Sequence, residues 1–246
     1  MRTLQAPPLG QGPPEVSRWV REMFSQVAGR YDFLNHLLSF QLDRYWRRRA
    51  AALLARELSS GGWVVDACCG TGDMALAIRH EMHTRVLGVD FSHVMLRRAL
   101  RKSRSRSQLF WAEADALALP LADKSVSAVT MAFGFRNLAD YDAGLREILR
   151  VLEPGGVALI LEFSHPGDGW FGRAYRFYAR SILPRVGGLI SGLRWAYEYL
   201  PCSIERFPRA TELAEQMRRV GFLNVRYWLL SGGIVAIHMG HAPTSA

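Results

Sequence analysis

The stretch Trp63-Val-Val-Asp66-Ala67 followed by Cys68-Cys-Gly70-Thr71-Gly72-Asp73 constrains the fold more than any other part of the chain. A short apolar run breaks into paired glycines, and helical spacing resumes at Asp73. That order predicts a buried strand, a tight loop whose glycines let backbone approach a ligand, and a helix over 73–81. Further strand-like runs follow at Val86–Val89, Leu109–Trp111, Val126–Ala132, Val157–Phe163, Val225–Leu230 and Ile234–His238. Helical stretches at 73–81, 92–102, 140–152 and 209–220 separate most of them. Such alternation folds into a mostly parallel sheet with helices on both faces. Only Ser231-Gly-Gly233 joins the last two strands. That link is too short for a crossover, so they must form an antiparallel hairpin. The expected fold is α/β, a seven-stranded, mostly parallel sheet ending in that hairpin.

The 246 residues, 49% of them hydrophobic, suffice for one domain with a sizeable core. That domain is expected over 15–246, with 1–14 as a flexible tail. Residues 15–58 read as an N-terminal helical cover. Residues 164–208, rich in aromatics and arginines, read as an insertion on the substrate side. No run of 18 apolar residues occurs, and residues 1–14 lack a signal-peptide core. The three cysteines, Cys68, Cys69 and Cys202, have no metal-ligand spacing and suit a reducing compartment. A cytoplasmic location and no metal are therefore expected. The net charge of +9 favours anionic partners without choosing among them. The basic run Arg97, Arg98, Arg101, Lys102, Arg104 and Arg106 reads as a solvated helix face. No appended nucleic-acid-binding domain is visible, and no nucleic acid is expected as a partner.

Asp90 closes the second predicted strand, 18 residues after Gly72, where a carboxylate can accept from ribose hydroxyls. Gly70-Thr-Gly72-Asp-Met-Ala75 also satisfies the dinucleotide pattern, so a nicotinamide enzyme competes at this point. Three features weigh against it, the last being Val151-Leu-Glu-Pro154-Gly-Gly156, which ends a helix and turns into the fifth strand. Asp66 and Asp73 would repel a pyrophosphate but welcome the ammonium of an amino-acid tail. Asp115-Ala116, after the third strand, can meet an adenine amino group. The competing reading of Asp66 and Asp73 is helix capping. S-adenosyl-L-methionine is the cofactor these residues favour. The candidate binding set is Asp66, Gly70, Thr71, Gly72, Asp90, Asp115 and Ala116. Pro154-Gly-Gly156 is expected as a turn from a helix into the fifth strand.

Several blocks are more discriminating. They include Phe24-Ser-Gln-Val-Ala-Gly-Arg30-Tyr31-Asp32-Phe-Leu-Asn35, Phe133-Gly-Phe-Arg136-Asn137, Leu161-Glu-Phe-Ser164-His-Pro166 and Gly232-Gly-Ile-Val-Ala236-Ile-His238. On these, from about residue 22 to 240, the chain resembles the UbiE/MenG family of quinone-biosynthesis C-methyltransferases. The resemblance implies a Rossmann-like class I methyltransferase fold and methylation of a ring carbon of a polyprenylated quinol. In that family Thr71, Asp90 and Asp115-Ala116 match cofactor-binding positions. The Cys-Cys-Gly-Thr loop and Ser39-Phe-Gln41 look more like the menaquinone members, so demethylmenaquinol is the expected substrate, with the ubiquinone-precursor benzoquinol as alternative. An RNA or protein methyltransferase, or a non-catalytic subunit of a quinone-synthesis complex, is a further alternative on the same fold. A membrane-dwelling substrate implies peripheral contact with the inner face of the plasma membrane, and a homodimer stays open.

Methylation at carbon needs a quinol that has lost a hydroxyl proton and is held in line with the methyl donor. Arg136 is the residue expected to steady the phenolate, directly or through a water, and Asn137 to orient the ring oxygens. Tyr31 and Asp32 would close the pocket. A structural salt bridge at a strand end is the competing reading of Arg136. His165 is weighed as a base, and His238 is assigned a structural role.

Overall fold

A computed structural model describes residues 13–27, 36–58, 61–104, 107–186 and 194–244. The elements follow the order helix α1 (Pro13–Val27), α2 (Leu42–Glu57), strand β1 (Trp63–Ala67), α3 (Asp73–Glu81), β2 (Arg85–Asp90), α4 (His93–Lys102) and β3 (Leu109–Glu113). Then come β4 (Val126–Ala132), a 3-10 turn at Phe135–Asn137, α5 (Tyr141–Val151) and β5 (Leu152–Phe163). The insertion carries α6 (Trp170–Phe177), a π-helical turn at Tyr178–Ile182 and α7 (Arg194–Arg206). The chain returns through α8 (Ala210–Val220), β6 (Leu223–Leu230) and β7 (Val235–His241). The tail expected over 1–14 lies outside the described residues up to residue 12, and α1 begins at Pro13.

One seven-stranded sheet has the order β3-β2-β1-β4-β5-β7-β6. β1 through β5 pair in parallel, and β7 runs antiparallel to both β5 and β6. The hairpin forms as its short link requires, turning through Ser231–Gly233 with φ of 50°, 67° and 89°. Three successive left-handed residues explain the two glycines there. Trp46 Nε1 on α2 donates to Ser231 Oγ at 2.9 Å, fastening the helical cover to this turn.

Side chains alternate across the sheet, and the core is split accordingly. Val65, Val89, Val129 and Ile160 pack on one face against Leu145 and Ile148 of α5 and Leu213 and Met217 of α8. Val64, Val86, Ala128 and Leu159 pack on the other against Ala50 and Leu54 of α2 and Met74 and Ile78 of α3. Burial on both faces is why these strands read as continuous apolar runs.

One expectation changes. Pro154-Gly-Gly156 is not a free turn between α5 and β5, because β5 already begins at Leu152. Leu152 pairs with Val126, and a register shift follows before Ala128 pairs with Val157. Gly155 and Gly156 exchange backbone hydrogen bonds with Ala242 at 3.2 and 2.8 Å. The segment is a bulged strand start, with Gly155 supplying a φ of +77°.

Candidate active site

The parallel strands β1, β2 and β4 end along one edge, and the loops leaving them surround a cleft. It holds about 940 Å³ of empty space, counting its open mouth. Asp66, Gly70, Thr71, Asp90, Asp115 and Ala116 all line it; Gly72 does not. A Cβ added at Gly72, where φ is +86°, would stand 2.5 Å from the Trp111 ring. Gly72 therefore serves the loop's conformation and Trp111 packing. Gly70, with φ +54°, would meet nothing within 4 Å and fronts open cleft.

The carboxylates divide their duties. Asp66, 1% exposed, accepts the Ala75 N–H at 3.1 Å and the Thr130 hydroxyl at 3.0 Å. It caps α3 from the neighbouring strand while lining the cleft, and burial pushes its carboxyl up to about 7. Asp73 pairs with Lys102 Nζ at 2.5 Å, and the same ammonium donates to the Thr71 hydroxyl at 3.0 Å. The expected attraction of a ligand ammonium by both acids thus starts from acids that already hold protein donors. Asp90 accepts Gly70 N–H and Ser92 N–H, each at 2.8 Å, tying the glycine loop to the end of β2. Burial lifts it to about 6. Each of its oxygens keeps a second acceptor position. Asp115 accepts Leu117 N–H at 2.9 Å beside Ala116.

These residues fit the cofactor the sequence favours. Four carboxylates, Asp66, Asp73, Asp90 and Asp115, face Arg47 as the single cation among the described lining residues. Such a cleft suits a ligand of net positive charge with hydroxyls to share. S-adenosylmethionine carries a sulfonium and an ammonium against one carboxylate, and it would supply an electrophilic methyl group.

A second, largely apolar cavity of about 1730 Å³ opens beside the first and shares Phe24, Arg47 and Phe133 with it. Its wall carries an alternating stack. Arg47 lies 5.2 Å from the Phe133 ring, Phe133 and Phe163 are 5.0 Å apart, and Arg136 lies 5.3 Å from Phe163. Arg136 Nη1 donates to Glu162 Oε1 at 2.8 Å and to the Phe133 carbonyl at 2.6 Å. Glu162, fully buried, also accepts the backbone N–H of Arg136 at 3.2 Å and that of Phe163 at 2.8 Å. The salt bridge weighed for Arg136 is present, and the residue lines the apolar cavity as well.

Adjacent residues on the 3-10 turn face different spaces. Arg136 borders the apolar cavity, whereas Asn137 borders the cofactor cleft and accepts the Tyr199 hydroxyl at 3.1 Å. Tyr31 and Asp32 lie outside the described residues. His165 lines a separate small cavity with its Nε2 2.8 Å from the Phe207 carbonyl. His238 is buried on β7 against the Ala210 carbonyl at 2.8 Å, and burial lowers it to about 4.

Sequence reasoning missed Arg47, Lys102 and Glu162 as parts of the site. For Arg47 a signal existed. Asp43, Trp46, Arg47 and Ala50 follow helical spacing, and all four are buried. Two charged residues within an apolar stripe mark a buried pair facing something polar.

The fold, with its glycine loop and acidic cleft at the sheet's carboxyl edge, defines a class I S-adenosylmethionine-dependent methyltransferase. A crystal structure of such a methyltransferase from Thermotoga maritima superposes with a TM-score of 0.61 at 19% identity, covering 89% of this chain and 98% of that one. The model of the ubiE/COQ5 methyltransferase family matches residues 14–242, and the chain belongs to that family. A demethylmenaquinone methyltransferase from Thermus thermophilus is 48% identical over 223 residues, 90% of this chain and 100% of that protein. A ubiquinone/menaquinone biosynthesis C-methyltransferase from Syntrophotalea carbinolica is 44% identical, over 89% of this chain and 92% of that protein.

Proposed function

We propose that this methyltransferase of quinone biosynthesis transfers the methyl group of S-adenosylmethionine to a ring carbon of demethylmenaquinol. The observation that carries the reading is the junction of the two spaces. An acid-lined cleft suited to a cationic adenosyl ligand meets a large aromatic cavity at Phe133, and a guanidinium stands at each end of the ring stack. In this reading Asp90 takes the ribose hydroxyls, Asp115 and Ala116 border the adenine, and Gly70 and Thr71 border the amino-acid end. The apolar walls hold the ring and the first part of its prenyl tail and keep bulk water out. Arg136, oriented by Glu162, steadies the ring oxygen as it loses its proton, directly or through a held water. Asn137 stands at the cofactor side of the same turn.

The cofactor half rests on family membership and charge, and the choice of naphthoquinol rests on the Thermus thermophilus relative. The substrate's tail implies loading from a lipid surface. The exposed Phe40, Trp170, Phe171 and Phe177 near the cavity offer such a contact. The test is an assay of the purified chain with S-adenosylmethionine and short-chain demethylmenaquinol, run beside the corresponding methoxybenzoquinol. Methylated naphthoquinol by mass spectrometry supports the assignment. Turnover of the benzoquinol alone would overturn it.

A further inference from the structure

Arg47 is placed to read a part of the cofactor that no carboxylate in the cleft can hold. Asp66, Asp73, Asp90 and Asp115 suit cationic and hydroxyl groups, and as carboxylates they have no hydrogen to donate to an α-carboxylate. Arg47 is the single cation among the described residues lining that cleft. Arg47 and Asp66 both line the cleft, and the Arg47 charge reaches Asp66, acting to lower its carboxyl against the larger effect of burial.

The guanidinium is built into position. Its Nη1 donates to Asp43 Oδ2 at 2.5 Å. Asp43 is in turn fixed by the Ser39 hydroxyl and by His36 Nδ1, each at 2.8 Å. These neighbours hold the Asp43 carboxyl below its ordinary range despite its burial. One face of the guanidinium lies over Phe133. The side chain is only 10% exposed, yet among the described residues no acceptor meets its Nε or Nη2. Neither atom is among the fully buried ones left without a partner, so both keep accessible surface on a residue that lines the cleft. A planar fork with two N–H groups left over matches a carboxylate.

We propose that Arg47 binds the α-carboxylate at the methionine end of S-adenosylmethionine. Asp43 is its positioning residue. The proposal rests on the cofactor reading of the same cleft and goes beyond it by assigning the amino-acid end.

The test compares two ligands that share adenosine and a thioether. S-adenosylhomocysteine carries the amino-acid end, and 5′-methylthioadenosine lacks it. Titration calorimetry of the unaltered chain and of Arg47→Gln with both ligands isolates the contact. The expected result is a loss of about tenfold or more for S-adenosylhomocysteine with 5′-methylthioadenosine held within about twofold. Equal losses for both ligands, or none, overturn the proposal. Arg47→Gln leaves Asp43 buried without its cation, so the double variant Asp43→Asn/Arg47→Gln is titrated as well, with the same expectation. A third comparison needs no variant. Decarboxylated S-adenosylhomocysteine is expected to bind the unaltered chain about tenfold or more weakly than S-adenosylhomocysteine, and equal affinity overturns the proposal. Failure of S-adenosylhomocysteine to bind the unaltered chain at all would overturn the cofactor reading itself.

Discussion

Arg136 keeps its charge in a nearly dry wall because Glu162 stands 2.8 Å from its Nη1. Each member of such a pair is costly without the other, and removing one partner typically costs about 3–5 kcal/mol. A simple Arg136→Ala variant therefore mixes two effects, lost chemistry and lost folding. The pair separates them. Arg136→Ala alone is expected to melt early and to turn over about 100-fold or more slowly, with cofactor affinity little changed. Arg136→Ala/Glu162→Gln removes the stranded carboxylate and should recover much of the stability while turnover stays low. Denaturant unfolding and single-turnover methylation of a short-chain quinol measure the two separately. Recovery of turnover together with stability in the double variant would leave Arg136 a purely structural residue.

At the scale of elements, Asp66 links three of them. It sits on β1, caps α3 at Ala75 and takes the Thr130 hydroxyl from β4. Burial raises it from 3.8 to about 7, so between those values the folded chain holds a proton that the unfolded chain has released. Stability from this group therefore falls as pH rises through that window, by an amount on the order of 4 kcal/mol. Asp66→Asn stays neutral and lacks this slope. Without ligand, the stability of Asp66→Asn relative to the parent should grow from pH 5 to pH 8 in denaturant titrations. Asp90 adds a slope of the same sign, and its charge also acts on Asp66, so the comparison is repeated in an Asp90→Asn background, where the same difference is expected. Parallel pH curves for the two proteins would show that Asp66 is ionised in the fold across the whole window. The same elements show what the sequence could and could not tell. β1, β2 and β4 announce themselves because both of their faces are buried, and the 3.6-residue rhythm of α3 and α5 begins where each loop ends. Leu152–Gly156 misleads because its partner, Ala242, is remote in sequence and only folding brings it alongside. Arg47 is hidden in a row of arginines whose neighbours Arg44 and Arg48 are exposed. Only the seating of α2 over the cleft separates it from them. That Asp90 and the glycine loop lie together at the cleft was legible, because their spacing lies on one short stretch of chain. That Arg136 meets Glu162, from the neighbouring strand, was not.

At the scale of the whole molecule, the polyprenyl tail of the proposed substrate has to be reconciled with the helices that the structure describes. Among the described residues no helix is long and apolar enough to cross a membrane. The apolar cavity instead comes to the surface beside large exposed aromatics. Trp170 is 77% exposed, Phe40 73% and Phe177 64%. Phe40 sits 5.9 Å from the Tyr178 ring, so the helical cover and the insertion meet at this rim. α6 mixes its aromatics with Arg173 and Arg176, the composition of a helix that lies in a lipid interface. The chain as a whole carries a net charge of +9, and cations close to an anionic surface contribute about 1 kcal/mol each. Charge should dominate the first approach, and aromatic insertion should hold the rim against the bilayer. Salt at about 1 M shortens the screening length to about 3 Å and should release most of the protein. Flotation with anionic vesicles at low salt is expected to carry the chain upward, and neutral vesicles should carry much less. Trp170→Ser/Phe177→Ser should lose flotation while keeping its affinity for S-adenosylhomocysteine, because neither residue lines the cofactor cleft. A chain that methylates detergent-dispersed quinol but never floats with anionic vesicles would remove the surface-docking step and leave the methyl transfer untouched.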